Sequence, residues 1–155
     1  MKKQNRYCIS GAQLIAVAFT LSILCSAEIR AQEDAYAGLS GKTFLCRITE
    51  ITPPDVDRMP RSYDEVIRFD NGKINSDFLK RFVAEDVPFT AAIDYRRAVA
   101  FTVVEFSANA NGMYSDRPVA LSYKGNVVGY VGLNGEISVS GNGFEQRYSV
   151  ESRNP

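Results

Sequence analysis

From Gly41 onward the chain is built from short runs in which apolar and polar residues alternate, each bounded by turn-forming residues. The clearest run is FEQRYSVES, where Phe144, Gln146, Tyr148 and Val150 share one face and Glu145, Arg147, Ser149 and Glu151 share the other. A period of two puts successive side chains on opposite sides of a pleated strand and does not fit a helix. The same period runs through KTFLCRITEI, with Phe44, Cys46 and Ile48 opposite Arg47 and Thr49. It recurs in YDEVIRFD, with Glu65, Ile67 and Phe69 opposite Asp64, Val66 and Arg68. Asn71-Gly72 follows directly. A two-residue type I′ turn needs positive φ at both central residues, and Asn before Gly tolerates that best, so a tight hairpin into KINS is expected. Asn134-Gly135 stands in a similar setting and predicts a second hairpin, joining NVVGYVGL to EISVS.

Further runs, PFTAAIDY, AVAFTVVEFSA and VALSYKG, bring the expectation to eight or nine short strands. TPPDVDRMPRS (Thr52 to Ser62) contains three prolines and reads as an exposed loop, because proline cannot donate to a central ladder. NANGMYSDRP (Asn109 to Pro118) also reads as a loop. SDFLKRFVAED (Ser76 to Asp86) differs from its surroundings. Ser76 or Asp77 can cap a helix there, and Phe78, Leu79, Phe82 and Val83 recur at helical spacing. The expected fold class is therefore all-β, an antiparallel up-and-down barrel of eight or nine short strands with one short helix, over residues 41–152. Closure into a barrel also removes the exposed edges of an open meander.

The first 31 residues read as a secretory signal peptide. Lys2, Lys3 and Arg6 precede the apolar stretch Cys8 to Ala27, and a short polar stretch with small residues follows. Two other readings share these residues. One is a retained membrane anchor, since about twenty apolar residues span a bilayer. The other is a lipoprotein signal with Cys25 as the lipidated residue. Residues 32–40 read as a flexible leader. The expected location is thus exported, periplasmic or extracellular, with no membrane span after signal removal. Loss of Lys2, Lys3, Arg6, Arg30 and Glu28 leaves 14 basic and 17 acidic side chains, a net charge of −3, which does not suggest a nucleic-acid partner. Cys46 is then the single cysteine and reads as a buried apolar residue.

LSGKTF (Leu39 to Phe44), FDNGKINS (Phe69 to Ser76), GNVVGYVGLNGEISV (Gly125 to Val139) and QRYSV (Gln146 to Val150) together resemble small secreted lipocalin-like proteins of bacteria, within the calycin group. The resemblance covers residues 39–152 in order. It implies a calyx-like barrel that binds a small apolar or amphipathic molecule. The chain departs from lipocalins proper where their first strand carries Gly-x-Trp, because Gly41-Lys42-Thr43 stands there. A shorter barrel with a small or filled interior is compatible with that departure.

Catalytic and metal-binding patterns are not found. The chain has no His, which removes the commonest general base and metal ligand. GLSGKT ends like a phosphate-binding loop, but Tyr36 stands where the first glycine is required. DNGKINSD does not meet the calcium-loop register. Asp64-Glu65 and Glu85-Asp86 read as solvated charges, and Arg96-Arg97 as a charged turn. No cofactor is expected. The residues that could orient a ligand inside a barrel are polar ones on apolar faces: Glu105 beside Val103, Tyr123 beside Val119 and Leu121, and Gln146 with Tyr148 on the last run. The expectation is non-enzymatic binding of a small apolar ligand. The alternative is a filled barrel acting through its surface on an envelope protein, as an interaction, inhibitor or assembly module.

Overall fold

The structure is a computed structural model that describes residues 32–51, 59–95 and 101–153. Eight antiparallel strands follow one another around a closed barrel. They are β1 (Thr43–Ile51), β2 (Ser62–Asp70), β3 (Lys73–Asn75), β4 (Val87–Ile93), β5 (Val103–Tyr114), β6 (Arg117–Val128), β7 (Gly132–Gly141) and β8 (Phe144–Ser152). β8 closes onto β1 with Val150 opposite Ile48 and Tyr148 opposite Glu50. The lower end of the barrel is where β1 begins and β8 ends; the upper end is where β1 ends and β8 begins. The signal segment 1–31, the stretch 52–58 and Arg96-Arg97 lie outside the described residues. Among the described residues no helix is long and apolar enough to cross a membrane.

Alternation assigns the inward faces. Phe44, Cys46 and Ile48 on β1, Ile67 and Phe69 on β2, and Tyr148 and Val150 on β8 are all buried. Rings fill the centre. Phe69 meets Phe44, Phe89 and Phe106 edge-on, at centroid separations of 5.9, 5.2 and 5.1 Å. Phe106 in turn meets Tyr123 at 5.0 Å. Edge-to-face contacts at this range are the favoured arrangement for aromatic pairs.

Both ends are closed by short segments. Residues 32–39 form a helix, α1, in place of the expected flexible leader. Ala35 and Leu39, four apart and so on one helical face, are fully buried. Tyr36 donates its hydroxyl to the Phe89 carbonyl at 2.6 Å, and the Tyr130 ring lies directly over Gly38. At the upper end, the helix expected within Ser76 to Asp86 is reduced to one 3₁₀ turn, Leu79–Arg81. The helical spacing there serves burial, since Phe78, Leu79, Phe82 and Val83 are all buried. Just past the turn the Phe82 carbonyl accepts from Met113 N, on β5, at 2.8 Å, which ties this segment to the barrel wall. Glu65 supports its start, accepting from Ser76 Oγ at 3.3 Å and Asp77 N at 2.9 Å.

The Asn71-Gly72 hairpin forms as expected, with φ of 49° and 71° and Asp70 opposite Lys73. The second expected hairpin does not. Asn134 and Gly135 lie within β7, paired to β6 and β8, and the chain reverses at Gly129-Tyr130, with φ of 58° and 57°. Gly135 faces inward and pairs with Gly125. A Cβ on Gly135 would stand 2.9 Å from the Tyr123 ring, and one on Gly125 would stand 2.7 Å from the Phe106 ring. These two glycines therefore give two core rings room to lie flat against the wall, as glycines at barrel bends do. The expected loop Asn109 to Pro118 is also a correction. β5 and β6 run through it to a tight turn at Ser115-Asp116, with φ of 49° and 61°.

A polar mouth as the candidate functional site

The upper end carries a polar cleft of about 330 Å³ bounded by Glu50, Arg61, Tyr63, Tyr114, Gln146 and Tyr148. Alternation explains the contributions. Glu50 continues the inward face of Phe44, Cys46 and Ile48, Tyr63 continues that of Ile67 and Phe69, and Gln146 and Tyr148 sit above Val150. The Glu50 amide donates to the Arg61 carbonyl at 2.8 Å, which ties the rims of β1 and β2 together. Glu50 is only 8% exposed. A carboxylate so placed is costly unless polar groups surround it, and the cleft supplies them. Tyr148 donates its hydroxyl to Gln146 Oε1 at 2.7 Å.

Aromatic rings make the floor. Phe78 packs on Tyr148 at 5.0 Å and on Tyr63 at 5.3 Å, while Phe82 packs on Tyr114 at 5.2 Å. The Arg81 guanidinium lies 4.6 Å from the Tyr63 ring centre and 5.2 Å from that of Phe78. Cations over ring faces are favoured, more so where water is partly excluded. The cleft therefore offers hydroxyl donors, one amide, a carboxylate and guanidinium groups over a rigid aromatic base.

Of the four ligand-orienting residues expected from sequence, Gln146 and Tyr148 are in this cleft. Tyr123 is inward, as expected, but lies in the packed core with no exposed surface. Its hydroxyl has no hydrogen-bond partner among the described residues. Burial, with a smaller effect of the Cys46 thiol, holds its pKa well above the ordinary 10.0. Tyr123→Phe is thus expected to leave stability unchanged or raise it by about 1 kcal/mol, since an unpaired buried hydroxyl is a net cost. Urea unfolding checks this, and a loss above 1 kcal/mol would show that the hydroxyl is satisfied.

Glu105 is a correction. It is exposed and points outward, beside Ala92 and Lys124, in a shallow depression of about 850 Å³ on the outer wall. In VVEFSA, adjacent Val103 and Val104 allow either parity. Phe106 and Ala108 turn inward, which sends Glu105 out. Sequence reasoning missed Glu50, Arg61, Tyr63 and Tyr114. An acidic residue on the apolar face of β1 was a visible signal for Glu50, whereas assigning Asn109 to Pro118 to a loop hid Tyr114.

The remaining polar candidates have structural roles. Asn75 Nδ2 donates to Asp86 Oδ1 at 2.7 Å, and Lys80 Nζ lies 3.8 Å from the same oxygen. Asp64 bridges Arg47 and Arg153 on the exterior, at 3.3 and 3.0 Å. Exposed pairs of this kind contribute little.

Three buried acids, Cys46, Tyr123 and Tyr148, make the fold sensitive to alkali. Burial, helped by Glu65, pushes the Cys46 thiol from 9.0 up to about 12. Burial and then Glu50, Tyr63 and Tyr114 push Tyr148 from 10.0 up to about 12, against a lowering effect of Arg81. The unfolded chain releases these protons first. Their contribution is complete below about pH 9 and is lost as pH rises toward about 12. Unfolding free energy measured in urea should accordingly fall steeply between pH 9 and pH 11, and Cys46→Ser should flatten the first part of that fall.

No family model, no curated protein and no solved structure matches this chain.

Proposed function

We propose that this chain is an exported, non-enzymatic barrel with a filled interior that acts through the polar mouth at its surface as an envelope interaction module. The observation that carries this reading is the filled interior. Phe44, Phe69, Phe89, Phe106 and Tyr123 occupy the space a calyx would leave open, and α1 and the 3₁₀ turn close the two ends. Ligand pockets are concave and mostly apolar. The 330 Å³ mouth is instead bordered by Glu50, Arg61, Gln146 and tyrosine hydroxyls. Such a surface suits polar groups of a partner protein better than a free apolar molecule. The carrier reading has less support because apolar volume within the barrel is taken up by the protein's own rings.

Two measurements test the proposal. Native mass spectrometry of the folded protein should reveal no stoichiometric apolar small molecule. A photo-crosslinking residue at Tyr114, on the mouth, should trap a discrete envelope protein, whereas the same residue at Ser122, on the outer wall, should not. An apolar compound released in stoichiometric amount on unfolding would instead restore the carrier reading.

A further inference from the structure

The lower rim presents three large apolar side chains to solvent. Tyr95 is 66% exposed, Phe101 65% and Val131 77%. They belong to one rim. Asp94 N bonds Val103 O, Gly129 N bonds Thr102 O, and Val103 pairs with Val128, so the connections β4–β5 and β6–β7 emerge side by side. Phe101 and Val131 both stand 3.8 Å from where a Cβ on Gly129 would lie. Single exposed apolar residues need no explanation, but a cluster at one pole marks a contact surface.

The path of the chain indicates what that surface meets. Gln32, where α1 begins, borders the outer wall at Ala92 and Glu105. That register pair is one step from Ile93–Val104 and two from the bond between Asp94 and Val103, next to the apolar rim. Upstream, the apolar stretch ends at Ala27, five residues before Gln32. Five extended residues reach at most about 16–18 Å. While that stretch is held in a bilayer, Gln32 and the wall beside the lower rim therefore lie within about 16–18 Å of its end, and the mouth is at the far end of the barrel. Tyr is a side chain that favours the interfacial depth of a bilayer, and exposed Phe and Val add apolar area there. Lys42, over the Tyr130 ring at 5.8 Å, adds a cation at the same rim.

We propose that Tyr95, Phe101 and Val131 form a membrane-contact rim that rests on the bilayer surface and points the polar mouth away from it.

The chain contains no Trp, so a single introduced Trp is an unambiguous reporter. Phe101→Trp and Met113→Trp place it at opposite ends, since Met113 is exposed near the tip of the β5–β6 hairpin. Both are made in the full chain and mixed with vesicles of phosphatidylethanolamine and phosphatidylglycerol. The expected result is a blue shift and quenching by brominated lipid for Trp at 101, and neither for Trp at 113. Tethering by the N-terminal stretch alone would leave both unshifted, and general adsorption would shift both; either outcome overturns the proposal. A concentration-dependent shift at 101 without vesicles would assign the rim to a second copy of the chain and also overturn it. As a second arm, Phe101→Ser with Val131→Ser in the Met113→Trp background should lower the fraction floating with vesicles about tenfold in the chain purified without residues 1–31, the scale of losing two partly buried apolar groups. That form is used only if its circular dichroism and unfolding midpoint match those of the full chain, and the 101-versus-113 contrast decides the matter if they do not.

Discussion

Phe69→Ala is expected to destabilise the protein by about 4 kcal/mol, the cost of truncating a fully buried ring without collapse of the surrounding cavity. Phe69 has no exposed surface and touches rings from three other strands, Phe44 on β1, Phe89 on β4 and Phe106 on β5. In a closed barrel the walls cannot move inward to fill the void, because each strand is held by neighbours on both sides. The Phe69 backbone also pairs with Lys42 and Gly41, so the position anchors the approach from α1 into β1. Val66, on the outer face of the same strand, is 41% exposed. Val66→Ala should cost about 1 kcal/mol or less, the span of strand preference at an exposed site. Urea unfolding of both variants against wild type checks the contrast. Equal losses would mean that the inward face of β2 has been misassigned.

Gly112→Ala should cost about 3 kcal/mol, at the upper end of overpacking losses, through an added methyl group alone. The backbone of Gly112 is in an ordinary conformation, so strain is not the cause. Its inward face lies against the chain of the 3₁₀ segment, where a Cβ would fall inside the Phe82 carbonyl and 2.8 Å from Val83 Cγ1. The obstacle is backbone and cannot rotate away. Displacing it would also break the bond from Met113 N to Phe82 O and lift Phe82 off Tyr114 on the mouth floor. Gly143 offers the comparison. It has a φ of +82° and nothing within 4 Å of a Cβ, so Gly143→Ala should cost about 1 kcal/mol from backbone preference alone. Thermal or urea unfolding ranks the two. A larger loss at Gly143 would show that the upper segment does not press on β5.

Local pattern alone determined much of the barrel. Alternation in FEQRYSVES, KTFLCRITEI and YDEVIRFD assigned the inward and outward faces of β8, β1 and β2, because side-chain direction along a strand follows from the pleat and needs no partner. Asn71-Gly72 determined its hairpin for an equally local reason, the positive φ at both positions. Tertiary structure decided the rest. Asn134-Gly135 carries the same dipeptide, yet Gly135 sits in mid-strand because the Tyr123 ring, from the neighbouring strand, needs the space over it. Glu105 went outward because ring packing at Phe106 settled a parity that two adjacent valines left open. The polar residues of Gln32 to Ser40 hid a helix whose reason for forming is the barrel end that Ala35 and Leu39 fill. The mouth gathers Glu50, Tyr63, Tyr114 and Tyr148 from four strands up to ninety-eight residues apart in sequence. Their convergence follows from strand register and from β8 closing on β1, and whether the interior is open or filled depends on how rings from several strands pack together, which no single run of residues encodes.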